Sequence, residues 1–158
     1  MGHVMVDKAV QGGRRSSARR VRFKRRAGSL GLSRKRTRDL VRQIEQGLPY
    51  KALQSLSGAS GLTAHEIGSV LAIPARTLAR RRVSGRLSTD ESERLLRLSN
   101  IFEKAVELFE GDVTAALSWL ASPRKALGER TPLEYSRTEL GAREVEALIG
   151  RLEHGVFS

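Results

Sequence analysis

The sequence TAHEIGSVLAIPARTLARRRVSGR, residues 63–86, predicts two short helices joined by a tight turn. Thr63 and Glu66 fit a capping box, in which the hydroxyl oxygen accepts a hydrogen bond from the backbone amide three residues on, and the carboxylate accepts one from the backbone amide of the cap. Pro74 opens the second helix, where its missing N–H leaves no hydrogen bond unmade. Gly85 ends that helix, because glycine adopts the left-handed conformation that often follows a last turn.

The apolar residues of this stretch predict how the two helices pack. The contact between them would be formed by Ile67, Leu71, Ile73 and Leu78. Gly68 is small at the point where the second helix must approach closely. The turn is made by Ala72 and Ile73, whereas many motifs of this kind have glycine at the position of Ala72. Two capped helices joined by such a turn are typical of a helix-turn-helix.

The second helix is rich in arginine, and no acid lies between Arg76 and Arg86. In a helix-turn-helix this helix enters the major groove of DNA, so Arg76 and Thr77 would lie nearest the bases, with Arg80 one turn further on. Arginine suits this role because its fork pairs with O6 and N7 of guanine. Contacts to phosphates, which position a module without specifying sequence, are expected from Arg81, Arg82 and Arg86. The alternatives are a basic solvated helix or a helix that docks on an acidic protein surface.

Helical patterns continue on both sides of this motif. Further helices are predicted at 38–47, 49–56, 90–109 and 113–120, and after Thr131 and Thr138. In the long helix, apolar residues recur at alternating intervals of three and four positions, namely Leu95, Leu98, Phe102, Ala105 and Phe109. Such a seam packs in the protein's own core or, as the minority alternative, against a second copy. The predicted fold class is all-α, with an N-terminal helix-turn-helix bundle and a C-terminal helical domain.

The positive charge is concentrated at the N-terminus. The 158 residues have a net charge of +12, and residues 1–38 alone contain 13 of the 29 Lys and Arg residues with a single acid, Asp7. Because apolar residues are isolated there, residues 1–37 are predicted to be a disordered basic arm, either a DNA-contacting arm or a solubilising tail. The other predicted units are a DNA-binding region at 38–110, which includes the long helix, and a C-terminal domain at 111–158.

Several function classes have no support in the sequence. There is no cysteine, which excludes disulfides, Cys-ligated zinc and a thiol nucleophile. The three histidines are far apart, and no phosphate-binding loop, dinucleotide fingerprint or zinc-protease motif is present. We therefore expect no catalytic residues, no metal, no cofactor and no enzymatic activity. No apolar run reaches the length of a membrane span, and a cytoplasmic location is expected.

The C-terminal third contains five short motifs in a fixed order. They are ALSWLASP (116–123), ALG (126–128), TPLE (131–134), LGAREVE (140–146) and LIGRLEHGVF (148–157). This combination resembles the toxin-binding domain of the Xre/MbcA/ParS family of bacterial antitoxins. Residues 38–110 resemble the Xre-like region that precedes this domain, best in IPARTLARR (73–81).

The resemblance implies a partner, a RES-domain toxin that depletes NAD+. The C-terminal segment, Arg151 to Ser158, would obstruct the active-site cleft of that toxin. The residues implied in toxin binding are Arg151, Glu153, His154, Gly155, Val156, Phe157 and Ser158. Gly155 can release the chain from the last helix, and Glu153 could meet basic groups that hold NAD+ phosphates. Val156 and Phe157 would be apolar anchors or, alternatively, would fold against their own helix.

The resemblance also implies autoregulation, in which the antitoxin binds operator DNA of its own operon. A homodimer within a larger toxin–antitoxin complex would present two recognition helices to half-sites about one helical turn apart. Two alternatives stay open. One is a stand-alone transcription regulator whose C-terminal domain only dimerises, and the other is a basic scaffold or RNA-binding protein.

Overall fold

The described residues of the computed structural model, 20–23, 26–32 and 36–155, form eight α-helices and two short 3-10 turns. In chain order the helices are α1 (Thr37–Gln46), α2 (Tyr50–Ser60), α3 (Ala64–Val70), α4 (Ala75–Ser84), α5 (Thr89–Leu108), α6 (Val113–Leu120), α7 (Pro132–Tyr135) and α8 (Glu139–Glu153). The predicted all-α class is confirmed. A helix-turn-helix bundle comes first and a helical domain follows it.

Reciprocal caps fix the starts of α3 and α5. At α3 the Thr63 hydroxyl oxygen accepts from the Glu66 amide at 3.1 Å, and the Glu66 carboxylate accepts from the Thr63 amide at 2.8 Å. Ser88 and Glu91 repeat this arrangement at α5, also at 3.1 and 2.8 Å. Each box pairs two backbone donors that the first turn of a helix leaves without partners. Helix α3 therefore begins directly after Thr63, as predicted, and α5 begins at Thr89, one residue before the predicted start.

The contact between α3 and α4 depends on a glycine. Ile67 and Leu78 are buried between the two helices. A Cβ atom at Gly68 would lie 2.9 Å from Cδ2 of Leu78, closer than packed carbon atoms approach. The Gly68 carbonyl oxygen also accepts a 2.8 Å hydrogen bond from the Ile73 amide. The predicted close approach at Gly68 is therefore confirmed.

Helix α5 forms the centre of the core. Leu95, Ile101 and Ala105 are 0% exposed, and the helix packs against α1 and α2 as well as α6 and α8. The predicted seam thus lies inside the protein's own core, with Phe109 at its partly buried end. Polar residues cover the opposite side of α5, and within the described part of the chain no helix is long and apolar enough to cross a membrane.

An N-terminal strap, residues 20–23 and 26–32, lies along α5. The Val21 amide donates to the Gly111 carbonyl oxygen at 2.9 Å, just beyond the C-terminal end of that helix. The Phe23 ring lies 5.6 Å from the ring of Phe102, centroid to centroid. Leu30 is only 2% exposed and belongs to a 3-10 turn that packs on α2 and α5.

The strap corrects the prediction that residues 1–37 are a disordered arm. Charge and isolated apolar residues suggested disorder, but these apolar residues find partners on α2 and α5, which sequence composition does not reveal. Residues 1–19, 24–25 and 33–35 of the predicted arm lie outside the described residues.

A partly buried carboxylate holds the strap. Oε1 of Glu103 accepts from the Ser29 amide at 2.8 Å and from the Ser29 hydroxyl at 2.7 Å. Burial raises the pKa of Glu103 above its ordinary value, against the opposing effect of the hydrogen bonds from Ser29. The strap is therefore attached to the C-terminal half of α5 by specific polar contacts as well as by apolar packing.

The turn between α3 and α4 contains a strained residue whose effect on stability can be tested. Ala72 has a φ of +56°, a left-handed conformation that costs a non-glycine residue about 1–2 kcal/mol. We expect Ala72→Gly to raise the free energy of unfolding by about 1 kcal/mol, because the relief of strain exceeds the added entropy of the unfolded chain. The control is Ala79→Gly on the exposed side of α4, which should lower it by about 1 kcal/mol. Urea unfolding measures both, and a destabilised Ala72→Gly variant would contradict the interpretation.

Candidate functional site

Exposed arginines lie along the surface of α4. Arg76 and Arg80 are exposed on the side opposite the buried Leu78, and Arg82, one turn after Leu78, is exposed as well. Thr77 is half-buried, and its hydroxyl oxygen accepts a long hydrogen bond of 3.4 Å from Arg80. Four of the six predicted DNA-contacting residues therefore lie at the accessible surface of one helix.

Arg81, predicted to contact a phosphate, is engaged within the protein. Its Nε lies 2.8 Å from Oε1 of Glu91, and its Nη2 lies 3.4 Å from Oε2. The Glu91 side chain is only 8% exposed, and a carboxylate that is removed from water needs a paired positive charge. Arg81 therefore positions α4 against the start of α5.

Arg86, also predicted to contact a phosphate, binds the end of α1. Its Nη1 donates to the carbonyl oxygens of Gly47 at 3.0 Å and Gln46 at 3.4 Å. The neighbouring Leu87 amide donates to the Leu48 carbonyl oxygen at 2.9 Å. The chain that leaves α4 is therefore attached to the link between α1 and α2.

Sequence reasoning missed a further positioning residue, Arg94 on α5. Its Nη1 donates to the Leu71 carbonyl oxygen at 2.6 Å, at the point where α3 ends. Its Nη2 binds the carboxylate of Asp90 one turn earlier. The spacing of Asp90 and Arg94 is a recognisable i,i+4 ion pair, but the contact with Leu71 joins residues far apart in sequence and has no local signature.

Glu91 connects helix capping with the position of α4. Burial raises the pKa of its carboxyl group, but hydrogen bonds from the Ser88 amide and the Arg81 side chain outweigh this effect, so the pKa lies below the ordinary value of 4.5. The ionised form is therefore the one that the folded protein stabilises.

The predicted toxin-contacting residues lie at the end of α8 and beyond. Arg151 is half-buried, whereas Glu153, His154 and Gly155 are exposed. Gly155 has a φ of +68°, which turns the chain away from the helix direction. The remaining predicted residues of this set lie outside the described residues, namely Val156, Phe157 and Ser158.

Two ion pairs show that α8 runs parallel to α5. Glu139, near the start of α8, lies 3.8 Å from Arg97, and Glu146, two turns later, lies 2.9 Å from Lys104. Residue numbers rise together along both helices, so the end of α8 lies beside the C-terminal end of α5. The α4 face is attached at the other end of α5 through Glu91. Since a helix of 20 residues spans about 30 Å, the two predicted sites lie at opposite ends of the molecule.

Comparisons with known proteins agree with this division. Residues 39–100 match the antitoxin Xre-like helix-turn-helix domain, and residues 104–155 match the antitoxin Xre/MbcA/ParS C-terminal toxin-binding domain. A protein of Yersinia enterocolitica named antitoxin Xre is 42% identical over 130 residues, which cover 82% of this chain and 88% of that protein.

Two further relatives have the same name. The antitoxin Xre of Photorhabdus laumondii is 35% identical over 116 residues, covering 73% of this chain and 78% of the relative. The antitoxin Xre of Pseudomonas putida is 33% identical over 114 residues, covering 72% of this chain and 70% of the relative.

The fold and the two matched regions define a helix-turn-helix antitoxin with a C-terminal toxin-binding domain. The chain belongs to the Xre antitoxin family. The predicted resemblance is therefore confirmed, and so is the prediction of a non-enzymatic protein, because this is a family of binding proteins that are not known as enzymes.

The lowered pKa of Glu91 makes part of the stability depend on pH. The unfolded chain takes up a proton on this carboxyl near pH 4.5, while the folded chain resists it to lower pH, so the contribution of Glu91 is present above pH 4.5 and is lost as the pH falls further. We expect Glu91→Gln to lower the free energy of unfolding at pH 7 by about 1–3 kcal/mol. That difference should shrink steadily below pH 4.5.

Urea unfolding of the wild type and Glu91→Gln between pH 7 and pH 3 measures this difference. The amide can still accept from the Ser88 amide, so the substitution chiefly removes the ionic contact with Arg81. Glu103, whose pKa is shifted upward, is present in both variants and cancels. A difference that stays constant with pH would contradict the prediction.

Proposed function

We propose that this chain neutralises a RES-type toxin that degrades NAD+, and that its C-terminal segment, residues 151–158, obstructs the active site of that toxin. The observation that carries the proposal is the match of residues 104–155 to a toxin-binding domain, combined with the accessible end of α8. The toxin class rests on the sequence resemblance, since RES-domain toxins are the typical partners of this kind of antitoxin.

The end of α8 has features that suit a segment inserted into a cleft. Helix α8 is fixed to α5 by its ion pairs and by buried apolar residues such as Val145 and Ile149. A rigid helix lowers the entropy that its end loses on binding. After the left-handed Gly155, the sequence provides Val156 and Phe157 as apolar anchors, and Glu153 provides a negative charge toward the basic groups of a phosphate-binding cleft.

We also propose that α4 binds operator DNA and thereby represses the chain's own operon. Arg76, Thr77 and Arg80 would approach the bases, and Arg82 would approach a phosphate. Arg81 and Arg86 would act by fixing the orientation of α4, because their side chains bind Glu91 and the end of α1. A homodimer in the cytoplasm, bound to toxin, would present two copies of α4 to adjacent half-sites.

Removal of residues 155–158 tests the toxin contact. This truncation retains α8 and the hydrogen bond from the His154 amide to the Gly150 carbonyl oxygen, and of the described contacts it removes only the bond from the Gly155 amide to the Leu152 carbonyl oxygen. We therefore expect an unchanged unfolding temperature. We expect the loss of two apolar anchors, worth about 2 kcal/mol or more each, to abolish protection at equimolar toxin. NAD+ consumption by the product of the neighbouring gene measures protection.

The result separates the parts of the proposal. Full protection by the truncated chain would refute the role of the C-terminal segment. A neighbouring gene product that does not consume NAD+ would refute the RES-type partner. If that product also failed to bind the chain, a stand-alone transcription regulator would be the better interpretation.

Substitution of Arg76 tests the DNA contact. Since Arg76 is exposed, we expect Arg76→Ala to leave the free energy of unfolding unchanged and to reduce operator binding by about 1–3 kcal/mol, the value of a lost bidentate contact. Titration against the DNA that precedes the chain's own gene measures this loss. Arg143→Ala on α8, an arginine whose side chain is 73% exposed, is the matched control and should bind as the wild type does. Equal operator affinities of the two variants would refute the role of Arg76. We also expect Arg76→Ala to neutralise toxin as the wild type does.

A further inference from the structure

The most exposed large hydrophobic side chain in the described part of the protein lies on α4. Val83 is 90% exposed, compared with 74% for Leu140 and 49% for Val41. A single exposed hydrophobic residue needs no explanation by itself. The position of Val83 relative to the arginines of α4 makes it informative.

Val83 shares a helical face with the residues proposed to approach the bases. Arg76, Ala79, Arg80 and Val83 follow the i, i+3, i+4, i+7 spacing that aligns residues on one side of a helix. All four residues are exposed, and Leu78 on the other side is buried. The outer face of α4 is therefore not uniformly polar, because two apolar side chains, Ala79 and Val83, alternate with two arginines.

The charge around Val83 indicates what could cover it. Arg76, Arg80 and Arg82 are exposed on the same helix, and no acid lies between Arg76 and Arg86, so an acceptable partner surface must be negative. It must also offer an apolar group to Val83. The major groove of DNA combines both properties, since phosphates line its edges and each thymine presents a C5-methyl group to the groove.

We infer that Val83 is a specificity-determining residue that contacts the C5-methyl group of a thymine in the operator, an inference that rests on the proposed operator binding by α4. Val83 lies seven residues after Arg76, which is about 10 Å along the helix and, with the axis of α4 along the groove, about three base steps of B-DNA. The inference therefore predicts a thymine about three base pairs from the guanine that Arg76 would contact.

The shape of valine suits this contact. A β-branched side chain in a helix has one strongly preferred χ1 rotamer, so its methyl groups are already fixed before DNA binds. Valine is also a poorer helix former than alanine. Alanine at position 83 would therefore keep α4 at least as stable as valine does. We expect Val83→Ala to weaken DNA binding without affecting the fold.

The test uses the full chain, alone and in complex with the product of the neighbouring gene, to select bound duplexes from a randomised DNA pool. Each thymine of the selected half-site is then replaced in turn by deoxyuridine, which removes only the methyl group. For the wild type, one replacement should lower affinity about fourfold, as expected for one methyl group returned to water. Val83→Ala should bind the unmodified duplex about fourfold more weakly and should be insensitive to that replacement.

Val41→Ala, which shortens an exposed valine on α1, is the matched control and should retain the full sensitivity to deoxyuridine. Thermal unfolding should show Val83→Ala to be at least as stable as the wild type.

Equal sensitivity of the wild type and Val83→Ala at every thymine would overturn the inference while operator binding stands. Weaker toxin binding by Val83→Ala with unchanged DNA binding would overturn it in favour of a protein contact. Failure to enrich any duplex would overturn both the proposed operator binding and the role of Val83.

Discussion

The structure depends on one buried carboxylate at the start of α5. Oε1 of Glu91 accepts from the Ser88 amide and from Nε of Arg81, each at 2.8 Å. The first contact fixes where α5 begins, and the second fixes α4 against that point. Because the side chain is almost fully removed from water, its charge is tolerated only while both contacts are made. This group therefore helps to set the orientation of the exposed face of α4 relative to the longest helix, together with the contact between Arg86 and the end of α1.

Helix α5 then connects the point where α4 is attached with the rest of the molecule. Helices α1 and α2 pack against it, and α6 and α8 do so as well, so the two regions matched by separate families share one central helix. The strap adds a second connection, because it extends from Gly111 past Glu103 to α2. The first described residue, Arg20, forms an isolated antiparallel backbone bridge with Asp112, at the end of α5 that is remote from α4.

The sequence predicted the features that depend on neighbours in the chain. The capping box at Thr63, the glycine that contacts Leu78 and the helix ends at Gly47 and Gly85 are local patterns with a direct physical meaning, and the structure contains them. Features that depend on distant partners were not predictable. The strap resembled a disordered tail because its composition is basic, and only the apolar surfaces of α2 and α5 explain its burial. Arg81 resembled the other arginines of α4, since nothing within the helix distinguishes the one whose side chain reaches Glu91.

The parallel arrangement of α5 and α8 has a consequence for how the two proposed activities combine. The exposed face of α4 lies at the N-terminal end of α5, and the end of α8 lies at its C-terminal end, about 30 Å away. In the proposed arrangement, a cleft that encloses only the last turn of α8 would leave Arg76, Arg80 and Val83 uncovered, so toxin and DNA would not compete for the same surface. An effect of toxin on DNA binding would then arise from the number and spacing of α4 copies in the complex, or from a change carried along α5 to the Arg81–Glu91 contact.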